Sequence, residues 1–204
     1  MKRSKLLCLS LALSAGCAST SGTNSGTYVE ARTASVFAGA CHYGSEYTTA
    51  GREAILAWRF DEGAARGAEV VAVISSQQNL AEEALDRRSV LYVDGPDDAC
   101  EAAVEALTGK GMLGEVVAIE EGAEVYVRGE SYRVRAGDGV ELVGELLPNR
   151  ECCSMPSEVW YEPLCTEQRG IVGNSEIFQC EVPALAVRFE RTGENDAFVG
   201  SFTW

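Results

Sequence analysis

The fold is decided by Glu124-Val-Tyr-Val-Arg128, Gly129-Glu-Ser131 and Tyr132-Arg-Val-Arg135. Apolar and polar side chains alternate in the two outer runs, and a period of two is typical of β-strands with one buried face. Gly129 can adopt the backbone conformation that a tight turn between antiparallel strands needs. The stretch therefore predicts a β-hairpin and indicates that antiparallel pairing builds the fold.

Short runs rich in β-branched and aromatic residues recur on both sides of this hairpin. Clusters of Gly, Asp or other polar residues separate most of them, as expected for consecutive strands. The further predicted strands are Tyr28–Phe37, Ala54–Phe60, Val70–Ile74, Val90–Val93, Val140–Val143, Ala184–Phe189 and Ala197–Trp204.

One segment follows a helical pattern instead. Asp94-Gly-Pro-Asp-Asp98 supplies an N-cap, an early proline and acidic residues for a helix N-terminus. Gly109 and Gly111 then end the helix. One apolar stripe is formed at helical spacing by Cys100, Ala103, Val104 and Leu107. We therefore predict an α+β fold: a mostly antiparallel β-sheet or sandwich with one main covering helix at about residues 96–108.

The N-terminus has the layout of a bacterial lipoprotein signal. Basic Met1-Lys-Arg-Ser-Lys5 precedes a short apolar run, and small residues lead to Cys17. A lipobox prefers Leu where Ser14 stands, so an ordinary secretory signal cut near Ala18 stays open. The apolar run of about ten residues is too short to span a bilayer. We predict a signal peptide over residues 1–16, lipidation of Cys17 and export.

The mature chain is predicted to have one folded part. Residues 17–26 are small and polar and form a flexible tether, and residues 27–204 form a single globular domain. The lipid on Cys17 would hold that domain at a membrane. Ala18, which follows the lipidated cysteine, favours the outer membrane or a periplasm-facing position over retention at the inner membrane.

The charge of the chain excludes one class of partner. The whole sequence has a net charge of −14, and removal of Lys2, Arg3 and Lys5 with the signal leaves 14 basic against 31 acidic residues, or −17. Such a surface repels nucleic acids and anionic lipid headgroups. We therefore expect no nucleic-acid partner.

The familiar catalytic motifs are missing from the sequence. It has no His-Glu-x-x-His, Gly-x-Ser-x-Gly, phosphate-binding loop or Cys-x-x-Cys. Gly109-Lys-Gly-Met-Leu-Gly114 fits a dinucleotide fingerprint, but it follows a predicted helix, whereas that motif needs a strand before it. His42 is the only histidine. The sequence predicts a binding protein without catalytic residues.

The candidate metal ligands of the chain are mainly cysteine and methionine side chains. Cys41-His42 follows a predicted strand, and Cys152-Cys-Ser-Met155 lies between two prolines in an irregular loop. Thiolates and thioethers are soft ligands that suit Cu(I), and imidazole suits copper or zinc. We predict a site for a soft transition metal, Cu(I) before Zn(II), formed by Cys41, Cys152, Cys153 and Met155 with His42 as an auxiliary ligand or neighbouring donor.

Two other uses of the cysteines stay open. Six cysteines besides Cys17 remain after export, and an even number in an oxidising compartment is typical of disulfides. Cys41 could bond to Cys152 or Cys153, and Cys165 to Cys180, in a structural or interaction module of the cell envelope without metal. Cys100 is expected to be a small buried hydrophobic residue. A thiol redox protein is the third possibility.

Several blocks of sequence resemble an uncharacterised bacterial exported family, catalogued as domain of unknown function 1326 and its relatives. The blocks are Tyr28–Phe37, Gly39-Ala-Cys-His42, Gly51–Trp58, Glu151-Cys-Cys-Ser-Met-Pro156 and Asn195–Gly200. The resemblance covers nearly the whole mature chain. It implies a single exported domain, and because the family has no settled activity it supplies no catalytic residues.

Overall fold

The computed structural model describes residues 22–38, 51–82, 86–147, 158–159, 161–165 and 168–204. Within these ranges lie the helix α1 (Asp97–Thr108) and a short 3-10 helix (Pro183–Leu185). The strands are β1 (Ser25–Arg32), β2 (Phe37–Ala38), β3 (Glu53–Glu62), β4 (Glu69–Ser75), β5 (Arg88–Asp94), β6 (Glu115–Glu121), β7 (Ala123–Arg128), β8 (Ser131–Ala136), β9 (Val140–Leu146), β10 (Glu158–Val159), β11 (Gln168–Val182), β12 (Val187–Arg191) and β13 (Glu194–Thr203).

Ten strands form one continuous sheet in the order β6-β5-β4-β3-β1-β13-β11-β9-β8-β7, and β12 pairs with the free part of β11. Every pair in it is antiparallel except β5 and β6, which are parallel and are connected through α1. The first strand lies in the middle, between β3 and β13. The sheet curls into a nearly closed barrel.

The predicted α+β class is therefore wrong. The described part of the chain is nearly all β, with 58% of its residues in strands and 10% in helices. The helix forms at Asp97–Thr108, close to the predicted 96–108, but it does not define a layer of the fold. The sheet nearly closes on itself and buries its inner face without a covering helix, as barrels do.

Alternation along the strands produces two hydrophobic clusters, one on each side of the sheet. The inner cluster fills the barrel and includes Val29, Ile55, Val71, Val134, Leu142 and Phe178. The outer cluster lies between α1 and the outer faces of β1, β3, β4 and β5, and it includes Tyr28, Leu56, Trp58, Val70, Leu91 and Leu107. The strands β3 to β5 are therefore buried on both faces, which explains their nearly unbroken apolar sequence.

The two end strands of the sheet are consecutive in the chain. Only Gly122 separates β6 from β7, and its φ of +99° is a conformation that favours glycine. The amide of Gly122 donates to the carbonyl of Val93 at 3.0 Å. This turn brings β7 back over the barrel and leaves the sheet almost closed.

Candidate functional site

The strands β2 and β10 form a small separate sheet that joins two distant parts of the chain. They pair antiparallel, with Phe37 opposite Val159 and Ala38 opposite Glu158. The segment that carries Cys41 and His42 begins directly after β2. The segment that carries the other proposed sulfur ligands ends directly before β10. The ladder therefore holds one end of each segment next to one end of the other.

The predicted ligands themselves lie outside the described residues, as does the lipidation residue. This applies to Cys17, Cys41, His42, Cys152, Cys153 and Met155. Among the residues that the structure does describe, no group of three or more His, Cys, Asp or Glu side chains could hold a metal ion. The metal site thus stays a prediction, and the described residues around the ladder bear on it indirectly.

A buried ionic network lies on β1 immediately before β2. Tyr28, Glu30 and Arg32 alternate along the strand and share its outer face, and all three are at most 1% exposed. The Tyr28 hydroxyl donates to Oε2 of Glu30 at 2.5 Å, and Nε of Arg32 donates to Oε1 at 2.5 Å. Each carboxylate oxygen thus has a donor, as a buried charge requires.

The segment 161–165, which follows β10 closely in the chain, contributes to this network. The amide of Leu164 donates to Oε2 of Glu30 at 2.8 Å, and the guanidinium of Arg32 donates to the carbonyl of Glu162. Arg32 also stacks over the Tyr161 ring, with 5.5 Å between Cζ and the ring centroid. The network therefore fixes the chain beyond β10 to the strand that leads into β2.

Burial sets the protonation state of the tyrosine in this network. Loss of solvent raises the pKa of Tyr28 well above its usual value, and the nearby charge of Glu30 raises this pKa further. The phenol therefore keeps its proton and stays a donor to Glu30. One donor of the network, Nη1 of Arg32, is buried without a hydrogen-bond partner. The network is a structural element that positions the β2–β10 ladder.

A second polar cluster lies inside the barrel. In β11 and β13 the register shifts, so that Asn195 and Asp196 oppose a single residue, and Asp196 is fully buried. Ser175 donates to Oδ1 of Asp196 at 2.5 Å, and the Tyr132 hydroxyl lies 3.0 Å from the Ser175 hydroxyl. Burial raises the pKa of Asp196 to about 8. All three side chains are at most 1% exposed, so the Ser175 hydroxyl is closed off from solvent and the cluster is part of the core.

The remaining cysteines do not form the predicted pair. Cys165 lies in the outer cluster and Cys180 in the inner one, on opposite sides of the sheet, so the bridge between them is excluded. Burial raises the pKa of Cys180 to about 12, which makes its thiol inert. Cys100 is only partly buried, because Ala99, Ala103 and Leu107 form the buried stripe of α1. It is therefore not the fully buried residue that the sequence predicts.

Comparison with known proteins adds no assignment: no protein-family model, no curated protein and no solved structure matches the chain. The resemblance to the uncharacterised exported family stays a prediction. In the described part of the chain, no helix has the length and apolar character needed to cross a membrane.

Proposed function

We propose that the protein is an exported envelope lipoprotein, anchored through a lipid on its N-terminal cysteine, that binds a soft transition metal without catalysis. Cu(I) is preferred to Zn(II). The anchor is Cys17, and the proposed ligands are Cys41, Cys152, Cys153 and Met155, with His42 as an auxiliary ligand. The observation that carries the proposal is the pairing of β2 with β10.

The ladder supports convergence because it limits how far apart the ligands can lie. Cys41 follows Ala38 by three residues, and Met155 precedes Glu158 by three residues. Three residues of extended chain span at most about 10 Å. Paired strands are about 4.8 Å apart. Cys41 and Met155 are more than 100 residues apart in the sequence, yet each lies only three residues from the paired residues Ala38 and Glu158. The two short segments can therefore bring their ligands together.

The ionic network strengthens this argument because it ties β1, which leads into β2, to residues 162 and 164, which follow β10. Arg32 binds the carbonyl of Glu162, and Glu30 binds the amide of Leu164. Metal ligands must be held near their final positions if binding is not to cost much conformational entropy. The three buried side chains on β1 supply that support from the side of the barrel.

The donor set favours Cu(I) over harder ions. Three thiolates and a thioether are soft ligands, and the acidic protein favours cations in its neighbourhood. Carboxylate-rich sites would instead suit calcium or magnesium. The resident metal would therefore be copper, held through sulfur, with imidazole as the single nitrogen donor.

The direct test is a Cu(I) titration of the reduced full-length protein against a competing chelator. We expect one tightly bound Cu(I) per chain and protection of at least two thiols from a thiol reagent after loading. Met155→Leu should weaken binding by about tenfold or more, since it nearly conserves volume but removes the thioether. Met112→Leu and Cys100→Ser are matched controls outside the site and should leave Cu(I) affinity unchanged.

The same ladder also favours the competing function, a disulfide-stabilised module of the envelope. A bond from Cys41 to Cys152 or Cys153 would join the segments that the ladder holds together. Peptide mapping of non-reduced protein from an oxidising compartment distinguishes the two. A complete bond that resists reduction, together with no retained copper, supports the structural module, whereas reversible cycling well above about −300 mV supports a redox protein.

The lipoprotein part of the proposal is tested separately. Mass spectrometry of the mature N-terminus should show an acylated Cys17, and Cys17→Ser should abolish the acyl mass. An unmodified N-terminus at Ala18 or beyond would contradict the anchor without touching the metal site.

A further inference from the structure

On the outer face of β7, β8, β9 and β11, one row across the four strands carries three apolar side chains and one arginine. The register places Tyr126 opposite Arg133, Arg133 opposite Val143, and Val143 opposite Ile177. Tyr126 and Ile177 at its two ends are 41% and 37% exposed. Arg133 stacks on Tyr126, with Cζ 5.6 Å from the ring centroid. On the other half of the barrel, the outer side chains pack in the outer cluster with α1 and with residues 164 and 165, whereas Tyr126 and Ile177 are exposed.

Charges of both signs flank this row. The neighbouring row contains Glu124, Arg135 and Glu141 on successive strands. Arg135 binds Glu141 at 2.6 Å, and Arg133 reaches back to Glu124 at 2.7 Å. The two arginines balance the two glutamates here, although the chain as a whole has a net charge of −14. A second copy of so acidic a protein can approach this face with less repulsion than the average surface offers.

We propose that this face binds a second copy of the same chain, in a symmetric dimer whose two-fold axis runs parallel to the strands between β8 and β9. That axis reverses the strand order, so β7 faces β11 of the partner and β8 faces β9. The Tyr126 of each copy then packs on Ile177 of the other, and Arg133 faces Val143. Aligned packing of two twisted sheets permits this arrangement.

Charge complementarity is what selects a second copy as the occupant. Under the same two-fold operation, Arg135 of each copy faces Glu141 of the other, so the ion pair within each chain becomes part of a ring of four alternating charges. A self-complementary patch is the requirement of a two-fold interface. The face is small, four short strands wide, so we expect association in the micromolar range rather than a permanent dimer.

The test exploits this symmetry through two single charge reversals in the full-length protein. Arg135→Glu sets a second carboxylate against Glu141, and Glu141→Arg sets a second guanidinium against Arg135, so each variant alone should be monomeric. In an equimolar mixture the two variants are complementary and should form a heterodimer. Arg88→Glu is the matched control, because Arg88 is 50% exposed and pairs with Glu115 across β5 and β6, outside this face. Sedimentation equilibrium from about 1 µM to about 1 mM measures wild type, the variants and the mixture.

We expect wild type and Arg88→Glu to dimerise. Each single reversal should lose at least about tenfold in association constant, and the mixture should regain that loss. If the Arg135–Glu141 pair acted only within one chain, mixing two separate variant chains would not restore association. A monomeric wild type, dimers that persist in both reversals, or a mixture as monomeric as its components would each overturn the proposal. Tyr126→Ser, which removes an exposed ring, provides a second variant should a charge reversal fail to fold.

Discussion

Oε2 of Glu69, at the start of β4, accepts a hydrogen bond from the backbone amide of Val125 in β7 at 2.7 Å. In the sheet, β7 pairs only with β8, so this amide belongs to an open strand edge. An unpaired edge amide that is withdrawn from water is costly. The carboxylate therefore replaces a missing strand at the point where the barrel almost closes, and burial raises the pKa of Glu69.

Removal of this carboxylate should loosen the closure. We expect Glu69→Ala to lower the free energy of unfolding by about 1 to 2 kcal/mol, because the Val125 amide loses its acceptor. Glu69→Gln keeps an acceptor oxygen and should lose less than half of that. Urea unfolding measures both, with the exposed Glu121→Ala as the control. Equal losses in the Gln and Ala variants would show that the hydrogen bond does not stabilise the closure.

Asp196 should make the stability of the barrel depend on pH. Its pKa in the folded state is raised to about 8, chiefly by burial, above the unfolded value. The folded state therefore holds this proton more tightly, and stability present below about pH 4 is lost as the pH rises toward 8, by up to about 1.4 kcal/mol per pH unit.

Asp196→Asn removes this titration and nearly conserves volume. We expect the variant to be more stable than wild type at pH 8 and to show a flatter pH dependence in urea unfolding. The exposed Asp138→Asn serves as the control. A wild-type profile that stays flat between pH 5 and 8 would mean that Asp196 does not exchange its proton on unfolding.

The ion pair on β1 should respond differently to single and double substitution. Arg32→Met leaves the Glu30 charge buried and uncompensated, so we expect a loss of about 3 to 5 kcal/mol in the free energy of unfolding. Adding Glu30→Gln should recover most of that loss in urea unfolding, since the amide still accepts from Tyr28 or Leu164. A double variant as unstable as the single one would indicate that Arg32 acts through packing alone.

Gly144 should be irreplaceable because the Tyr132 ring lies against it. A Cβ atom there would lie 2.3 Å from the Tyr132 hydroxyl and 2.2 Å from the carbonyl oxygen of Asn174. We expect Gly144→Ala to destabilise the protein by about 1 to 3 kcal/mol. Gly109→Ala, whose Cβ would have room at 3.4 Å, should be tolerated. Thermal unfolding of the Gly144→Ala and Gly109→Ala variants tests this difference. Equal melting temperatures of the two variants would contradict the packing argument.

Local patterns predict the short strands well. The hairpin of β7 and β8 forms with its turn at Gly129, and β3, β4 and β5 extend their predicted runs by a few residues. The 15-residue strand β11 escapes detection because two register shifts interrupt its alternation. The predicted strand over Ala184–Phe189 begins late, at Val187, because a 3-10 helix occupies its first residues. Strand order and closure depend on pairs far apart in the chain, which periodicity does not encode.

The polar networks could not be predicted for a related reason. In Tyr28-Val-Glu-Ala-Arg32 apolar and charged side chains alternate, and Val29 and Ala31 lie in the inner cluster. The same pattern indicates a solvent-exposed face for Glu30 and Arg32, yet both are buried. Their burial depends on residues 161–165, which no local signal connects to β1. Asp196 likewise faces inward only because of the register shift beside it.

The convergence of the two cysteine segments is the central claim, and X-ray absorption at the copper edge of the Cu(I)-loaded full-length protein tests it most directly. We predict coordination dominated by sulfur, with a sulfur ligand lost in Cys41→Ser and also in Cys153→Ser, because each segment supplies ligands to one ion. A copper environment that Cys41→Ser leaves unchanged, or a reduced protein that retains no Cu(I), would contradict the account.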